Sequence, residues 1–266
     1  MEEVKLAFSN RWVFNRVMCH EEVCAQVIRA VLGIEVERIE YLNAEQVIEP
    51  GLDQRGIRMD VVAKEGGRVY DIEMQTASRS LLGRRMRYYQ AALDTAELER
   101  GASFELLPES YIVFLCLFDA YGFGRAAYTI DRTCRQEPEA KICDDSHWVV
   151  LNAQAWGESG ETALGDLLRY TATGEVSGGL SRTIDALVAS CNHDRKWVRR
   201  VITFEEDAAM QRRWAHEEGF RQGIEQGENR FGALVEELIQ AGRASEIERA
   251  ARDKTYRNQL FDELKL

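Results

Sequence analysis

Apolar and polar side chains alternate most regularly over residues 57–76, IRMDVVAKEGGRVYDIEMQT. In the first half Ile57, Met59, Val61 and Ala63 fall on one side of an extended chain, and Arg58, Asp60, Val62 and Lys64 on the other. In the second, Tyr70, Ile72 and Met74 oppose Asp71, Glu73 and Gln75. A period of two over such runs predicts two half-buried strands. Gly66-Gly67 between them tolerates the positive φ that both central positions of a two-residue type I′ hairpin turn require. That turn pairs Glu65 with Arg68, Val61 with Ile72 and Met59 with Met74. It also sets Asp60 directly across from Glu73, and Arg58 across from Gln75.

Residues 10–32 follow a helical period through Val13, Phe14, Val17, Cys24, Val27, Ile28 and Val31, with Gly33 as the stop, and predict one amphipathic helix. Residues 34–43 read as a strand and Pro50-Gly51 as a turn. Residues 79–99 predict a helix with Leu82, Met86, Tyr89, Leu93 and Ala96 on one stripe and Arg84, Arg85 and Tyr88 on its flank. The continuous apolar run YIVFLCLF at 111–118 is the pattern of a strand covered on both faces. Two shorter strands are expected at 126–134 and 147–151. Pro50, Pro108 and Pro138 all fall in proposed connections. Beyond about residue 160 the pattern is helical only, with helices near 162–173, 180–192, 195–230 and 232–243 and a small helical pair over 242–266. The expected architecture is α/β: a small mixed sheet flanked by helices over 1–155, then an all-helical region over 156–266.

Composition narrows the class. The chain has 266 residues, 45% of them hydrophobic, enough for one sizeable core and a second small module. No run of apolar residues is long enough to span a bilayer, and MEEVKLAFSNRW lacks the basic-then-apolar order of a leader, so a soluble cytoplasmic protein without a membrane partner is expected. The six cysteines form no C-x-x-C pair and the four histidines are scattered, which argues against a zinc site or a disulfide framework. A net charge of −11 argues against a protein that coats nucleic acid along its whole surface. A local basic strip, Arg79, Arg84, Arg85 and Arg87, nevertheless follows the second strand directly.

Two features carry candidate chemistry. Directly opposed strand residues have Cβ atoms ~4.5–5.5 Å apart, where like charges repel. An Asp60–Glu73 pair is therefore either a solvated polar face or a place for a divalent cation, since Mg²⁺ binds through one or two carboxylates plus water and phosphate oxygens. Gly219, Gly223 and Gly227 recur four apart on the 195–230 segment. Each glycine weakens a helix by roughly 1 kcal/mol against alanine. The stripe is either a frayed link or a bare face through which a homo-oligomer forms.

The D-x₁₂-E-x-Q spacing from Asp60 to Glu73-Met74-Gln75 resembles the PD-(D/E)XK nuclease superfamily. More closely, the chain is similar to the recombination-promoting nuclease / putative transposase family. The likeness is carried by His20-Glu21-Glu22 on the opening helix, GIEVERIEYLN, GLDQRGIRMDVVAKEGGRVYDIEMQT, RRMRYYQAALD and YIVFLCLFDAYGFGRAAYTIDRTC. The resemblance implies a restriction-endonuclease-like core and a Mg²⁺-dependent DNA endonuclease linked to recombination or mobile DNA, with Mn²⁺ as an alternative ion. It implies that Asp60, Glu73 and the carbonyl of Met74 hold the metal, that Gln75 stands where the family's lysine would be, and that Glu22, with Glu21 as its rival, completes the site. Gln75 cannot supply the lysine's charge, which implies either weaker intrinsic catalysis or reliance on Arg58. Arg58, Arg79, Arg84, Arg85, Arg87 and Tyr88 would hold the DNA backbone. The competing expectation is a catalytically weak or inactive nuclease fold serving as a DNA-binding or assembly module.

Overall fold

The computed structural model describes residues 4–48, 56–77 and 81–266. The hairpin predicted at 57–76 is present. Strands β2 (Ile57–Glu65) and β3 (Arg68–Gln75) pair antiparallel from Glu65–Arg68 to Val61–Ile72, with Gly66 and Gly67 at φ 57° and 79°. Strand β1 (Tyr41–Ile48) lies antiparallel on the outer edge of β2. On the other side β3 runs parallel to β4 (Glu109–Cys116), and β4 runs parallel to β6 (Ser146–Asn152). Strand β5 (Ala127–Ile130) closes the edge antiparallel to β6. The order is β1-β2-β3-β4-β6-β5. Strand β4 is central and parallel on both sides, as its unbroken apolar run requires.

Helix α3 (Leu82–Glu97) covers one face of the sheet. Its Leu82, Met86 and Leu93 pack with Val62, Val69, Ile112, Phe114, Cys116 and Val150. The predicted stripe holds for these three residues, while Tyr89 is half-buried and Ala96 is exposed. The mixed sheet, its flanking helices and the helical C-terminal region are consistent with a restriction-endonuclease-like fold.

Three sequence expectations are corrected. The helix expected over 10–32 is two helices, α1 (Arg11–Met18) and α2 (Glu21–Leu32), with His20 in extended conformation between them. Helix α1 packs on α5 (Gly179–His193), β1 and β2, whereas α2 packs on α4 (Ala163–Thr173) and α5. The turn lets α1 reach the sheet while α2 reaches α4. The strand expected at 34–43 begins only at Tyr41: Val36 and Ile39 are buried but three residues apart, off the strand period, and pairing with β2 starts at Lys64. The helices expected at 195–230 and 232–243 are one, α6 (Arg195–Gln240). Gly232 does not break it because Leu234 and Leu238 on the following turns anchor it in a small core with Ala250 of α7 (Ile247–Arg252) and Leu260 and Phe261 of α8 (Lys254–Leu264). The turn expected at Pro50-Gly51 lies outside the described residues.

The chain forms two compact units that part between Val198 and Arg199. Helices α4 and α5 therefore belong with the sheet.

Candidate active site

The regular alternation of β2 breaks at Asp60. Ile57 and Met59 share a cluster with Val62, although a flat strand would put odd and even positions on opposite faces. The ladder to β3 stops at Val61–Ile72. The ladder to β1 pairs Ala44 with Val61 and Gln46 with Met59 but skips the intervening Glu45, which sits at φ 60° opposite Asp60. The expected flat Asp60–Glu73 pair is therefore replaced by a crossed one. The Asp60 N–H donates to Glu73 Oε1 (2.7 Å), and the Met74 N–H donates to Asp60 Oδ2 (3.1 Å). Each carboxylate fills a backbone bond that the ladder has given up and keeps its second oxygen for something else. The N–H and C=O of one strand residue point the same way. The Met74 carbonyl is thus directed toward β2 along with its N–H.

A third acid belongs to the group. Asp71 lies two residues before Glu73 on the same face and is fully buried. Neither of its oxygens accepts a hydrogen bond from a donor group among the described residues. Its carboxyl lies against that of Glu73, where a hydrogen bond exists only while one of the two holds a proton. Burial raises all three acids above the ordinary carboxylate range. For Asp71 the nearby charge of Asp60 adds to this, and for Glu73 the charges of Asp71 and Asp60 do. At Asp60 the rise from burial is countered by the Met74 N–H and by Arg11, Arg58 and Arg85.

Arg85 is the cation of the site. Its Nη1 donates to Gln75 Oε1, and its Nη2 donates to the Tyr89 hydroxyl (3.0 Å) and faces Glu73 Oε2 (3.4 Å). Its guanidinium lies over the Phe114 ring at 5.1 Å. Arg85, expected to bind DNA, thus lies beside Gln75 and Glu73. Arg58 is exposed and reaches Asp60 only through its field. Gln75 is buried and engaged at both ends of its amide, since Nε2 donates to the Ala77 carbonyl (2.7 Å). Burial and the charge of Glu73 push the Tyr89 hydroxyl up to about 12, so it stays a neutral partner of Arg85.

The other predicted residues divide. Arg84, Arg87 and Tyr88 are exposed on the first two turns of α3. Leu81, just before them, is held at φ 75°, a strained conformation for a branched residue, where the chain swings from β3 into the helix. Arg79 lies outside the described residues. The structure brings neither Glu21 nor Glu22 to the hairpin. Both are exposed on α2, and the Glu22 carboxylate accepts from Gln26 (3.3 Å). The turn at Cys19-His20 directs their helix toward α4 and α5 instead.

From the first helical segment it is Arg11, at the start of α1, that acts on Asp60. Arg11 is ion-paired to Glu45 at 3.4 Å and stacked on Trp12. Sequence reading missed Arg11, Glu45 and Asp71 as site residues. Asp71 had a signal, the shared parity of Asp71 and Glu73; the other two had none.

Among the described residues, the buried side-chain nitrogens and oxygens without a hydrogen-bond partner belong to Arg11, Asn15, Glu45, Gln46 and Asp71. All five lie on α1, β1 or β3, the elements around Asp60. Such groups are rare in folded proteins and mark places where water, an ion or a ligand completes the bonding. Two carboxylates and an aimed backbone carbonyl form a donor set suited to a hard divalent cation. No set of three His, Cys, Asp or Glu side chains among the described residues is arranged to hold a metal by itself, so carbonyl and water oxygens would have to contribute. With that proviso, the residues present fit such an ion.

Residues 8–126, which include this whole site, match the family model of the PD-(D/E)XK nuclease family transposases. Over this span the chain is similar to that family. No curated protein and no solved structure matches it. The family match suggests a nuclease-like function.

The raised acids give a testable pH dependence. A carboxyl whose folded pKa exceeds its unfolded value of about 4 stabilises the fold fully below that value and loses this contribution as pH climbs through the folded one. In EDTA, the melting temperature should therefore fall as pH rises above the ordinary carboxylate range and through the raised values. Asp119 and Glu246, both lowered to about 2, titrate below this window. Asp71→Asn, whose amide can donate to Glu73, should flatten the fall and stabilise the metal-free protein at the upper end by about 2 kcal/mol, or roughly 5 °C. An unchanged slope in that variant would show that Asp71 carries no buried charge.

Proposed function

We propose that the protein is a divalent-metal-dependent DNA endonuclease, with Mg²⁺ as the working ion and Mn²⁺ as a substitute, serving recombination or mobile DNA. The observation that carries this reading is the crossed Asp60–Glu73 arrangement with the buried, unpartnered Asp71 carboxylate beside it, inside the segment matched by the family.

The second oxygens of Asp60 and Glu73 and the carbonyl of Met74 would hold the ion. A bound divalent cation supplies a more acidic water and neutralises charge on a phosphate. The chain's own residues do the rest. Arg85 balances Glu73 and, through Gln75, is fixed in one orientation. Gln75 keeps one amide hydrogen beyond the bond to Ala77, enough to steady a water. Arg84 and Arg87, with Arg58 on the hairpin, are placed to meet backbone phosphates, which draw cations without regard to sequence.

The second reading is a nuclease-fold DNA-binding or assembly module without cleavage. Gln75 in the lysine position favours it, as do the exposed Met210, Trp214, Phe220 and Ile224 along α6, which would suit a homo-oligomer. Among the described residues no helix is long and apolar enough to cross a membrane.

Purified protein incubated with supercoiled plasmid should nick or linearise it in Mg²⁺ and not in EDTA. Binding that weakens with salt but never cuts, in Mg²⁺ or Mn²⁺, would decide for the second reading.

A further inference from the structure

We propose that Phe123 is a wedge that enters the base stack of a duplex held at the candidate active site, a reading that rests on the nuclease assignment above. The parallel strands β3, β4 and β6 end together at one end of the sheet, at Gln75, Cys116 and Asn152. The Leu117 N–H donates to the Gln75 carbonyl (3.0 Å). The loop that leaves β4 therefore starts beside the strand carrying Glu73. The first turns of α3, with exposed Arg84 and Arg87, start from the same end. An apolar tip and two cations thus share the sheet end with the acids.

The loop is held rigid by side chains. Asp119 Oδ1 accepts from the N–H groups of Tyr121 (3.1 Å) and Gly122 (2.9 Å), and Oδ2 from that of Gly124 (2.6 Å). The Tyr128 hydroxyl donates to Asp119 (2.7 Å) and accepts from the N–H groups of Phe123 (3.3 Å) and Arg125 (3.2 Å). Glu158 accepts from the Ala126 N–H and from Arg125 Nη1 (2.7 Å). Every backbone N–H from Tyr121 to Ala126 is thereby satisfied. Gly122 and Gly124 flank the tip at φ 77° and 71°. The Tyr121 ring packs edge-on against Tyr128 at 4.9 Å.

All this order leaves the Phe123 ring 79% exposed. A loop free to rearrange would tuck a phenyl ring away, whereas this one is fastened so that it cannot. Rigid apolar side chains beside phosphate-binding cations are what proteins insert between base steps to unstack and kink a duplex. The arginines favour that occupant over an apolar protein surface.

The test uses the full-length protein with short duplexes carrying 2-aminopurine at successive positions, in Ca²⁺ so that binding is read without hydrolysis. Wild type should raise the fluorescence severalfold on binding. Phe123→Ala should abolish the rise and weaken binding about tenfold, the worth of one aromatic–base contact. Phe123→Leu, still a wedge, should keep most of both. Phe104 is 81% exposed but precedes β4, at the opposite end of that strand, so Phe104→Ala should change nothing. Equal melting temperatures would show that the variants fold alike. If Phe123→Ala binds and unstacks DNA as wild type does, the wedge is refuted and the ring faces a protein instead. A wild-type complex without any fluorescence rise refutes it equally. Failure of the wild type to bind DNA at all removes the nuclease reading, and the wedge with it.

Discussion

Asp60→Asn and Glu73→Gln should each reduce Mg²⁺-dependent plasmid cleavage by about a thousandfold or more, the scale on which removing one electrostatic element of such a centre acts. Each amide keeps the oxygen that the crossed geometry needs, so the Met74 N–H and the Asp60 N–H retain their acceptors. What each loses is a charge. The fold should therefore survive and, in EDTA near neutral pH, melt higher than wild type, because one member of a buried like-charged group is gone. Loss of activity with raised metal-free stability is a combination that a merely structural acid would not give. Cutting that persists in either variant would end the proposed mechanism, and lost activity with lowered stability would make the residue structural. The measurements are plasmid nicking in Mg²⁺ and thermal melts in EDTA.

Arg85→Gln should have the largest effect on stability. Arg85 bridges Glu73, Gln75 and Tyr89, and its side chain is 28% exposed against 4% for Glu73. Removing one partner from a pair so nearly buried leaves the other charge uncompensated, at a cost of about 3 kcal/mol where the acids are ionised and no metal is present. The penalty should shrink as pH falls and the raised acids take up protons, and again when Mg²⁺ is added. Arg85→Lys should recover part of the stability but little of the Gln75 geometry, since an ammonium cannot present two parallel donors. A penalty in Arg85→Gln that ignores both pH and metal would mean that the arginine acts by packing on Phe114 and Tyr89, not by charge.

Much of the fold was legible because local rules act on neighbours in the chain. Gly66-Gly67 and the period-two runs led to the hairpin and its register from Glu65–Arg68 to Val61–Ile72. The unbroken apolar run at 111–118 pointed to the centre of the sheet. The same rules failed where the deciding partner is remote. Nothing between Met18 and Glu21 is a helix breaker, yet the helix turns there, so that α1 reaches the sheet while α2 reaches α4. The break expected between 230 and 232 is absent, and Leu234 and Leu238 fix the helix just beyond it in a small core.

The candidate site divides along the same line. The sequence alone determined that Asp60, Glu73 and Gln75 stand on adjoining strands, since turn type and a two-residue period set which strand residues can meet. Only the tertiary structure decided what surrounds them. It turned Glu22 away, placed Arg85 where a lysine's charge is missing, added Arg11 from α1, and sealed Asp71 behind Glu73. Those outcomes depend on burial and on the electric field summed over distant segments, and neither quantity is carried by any short stretch of chain.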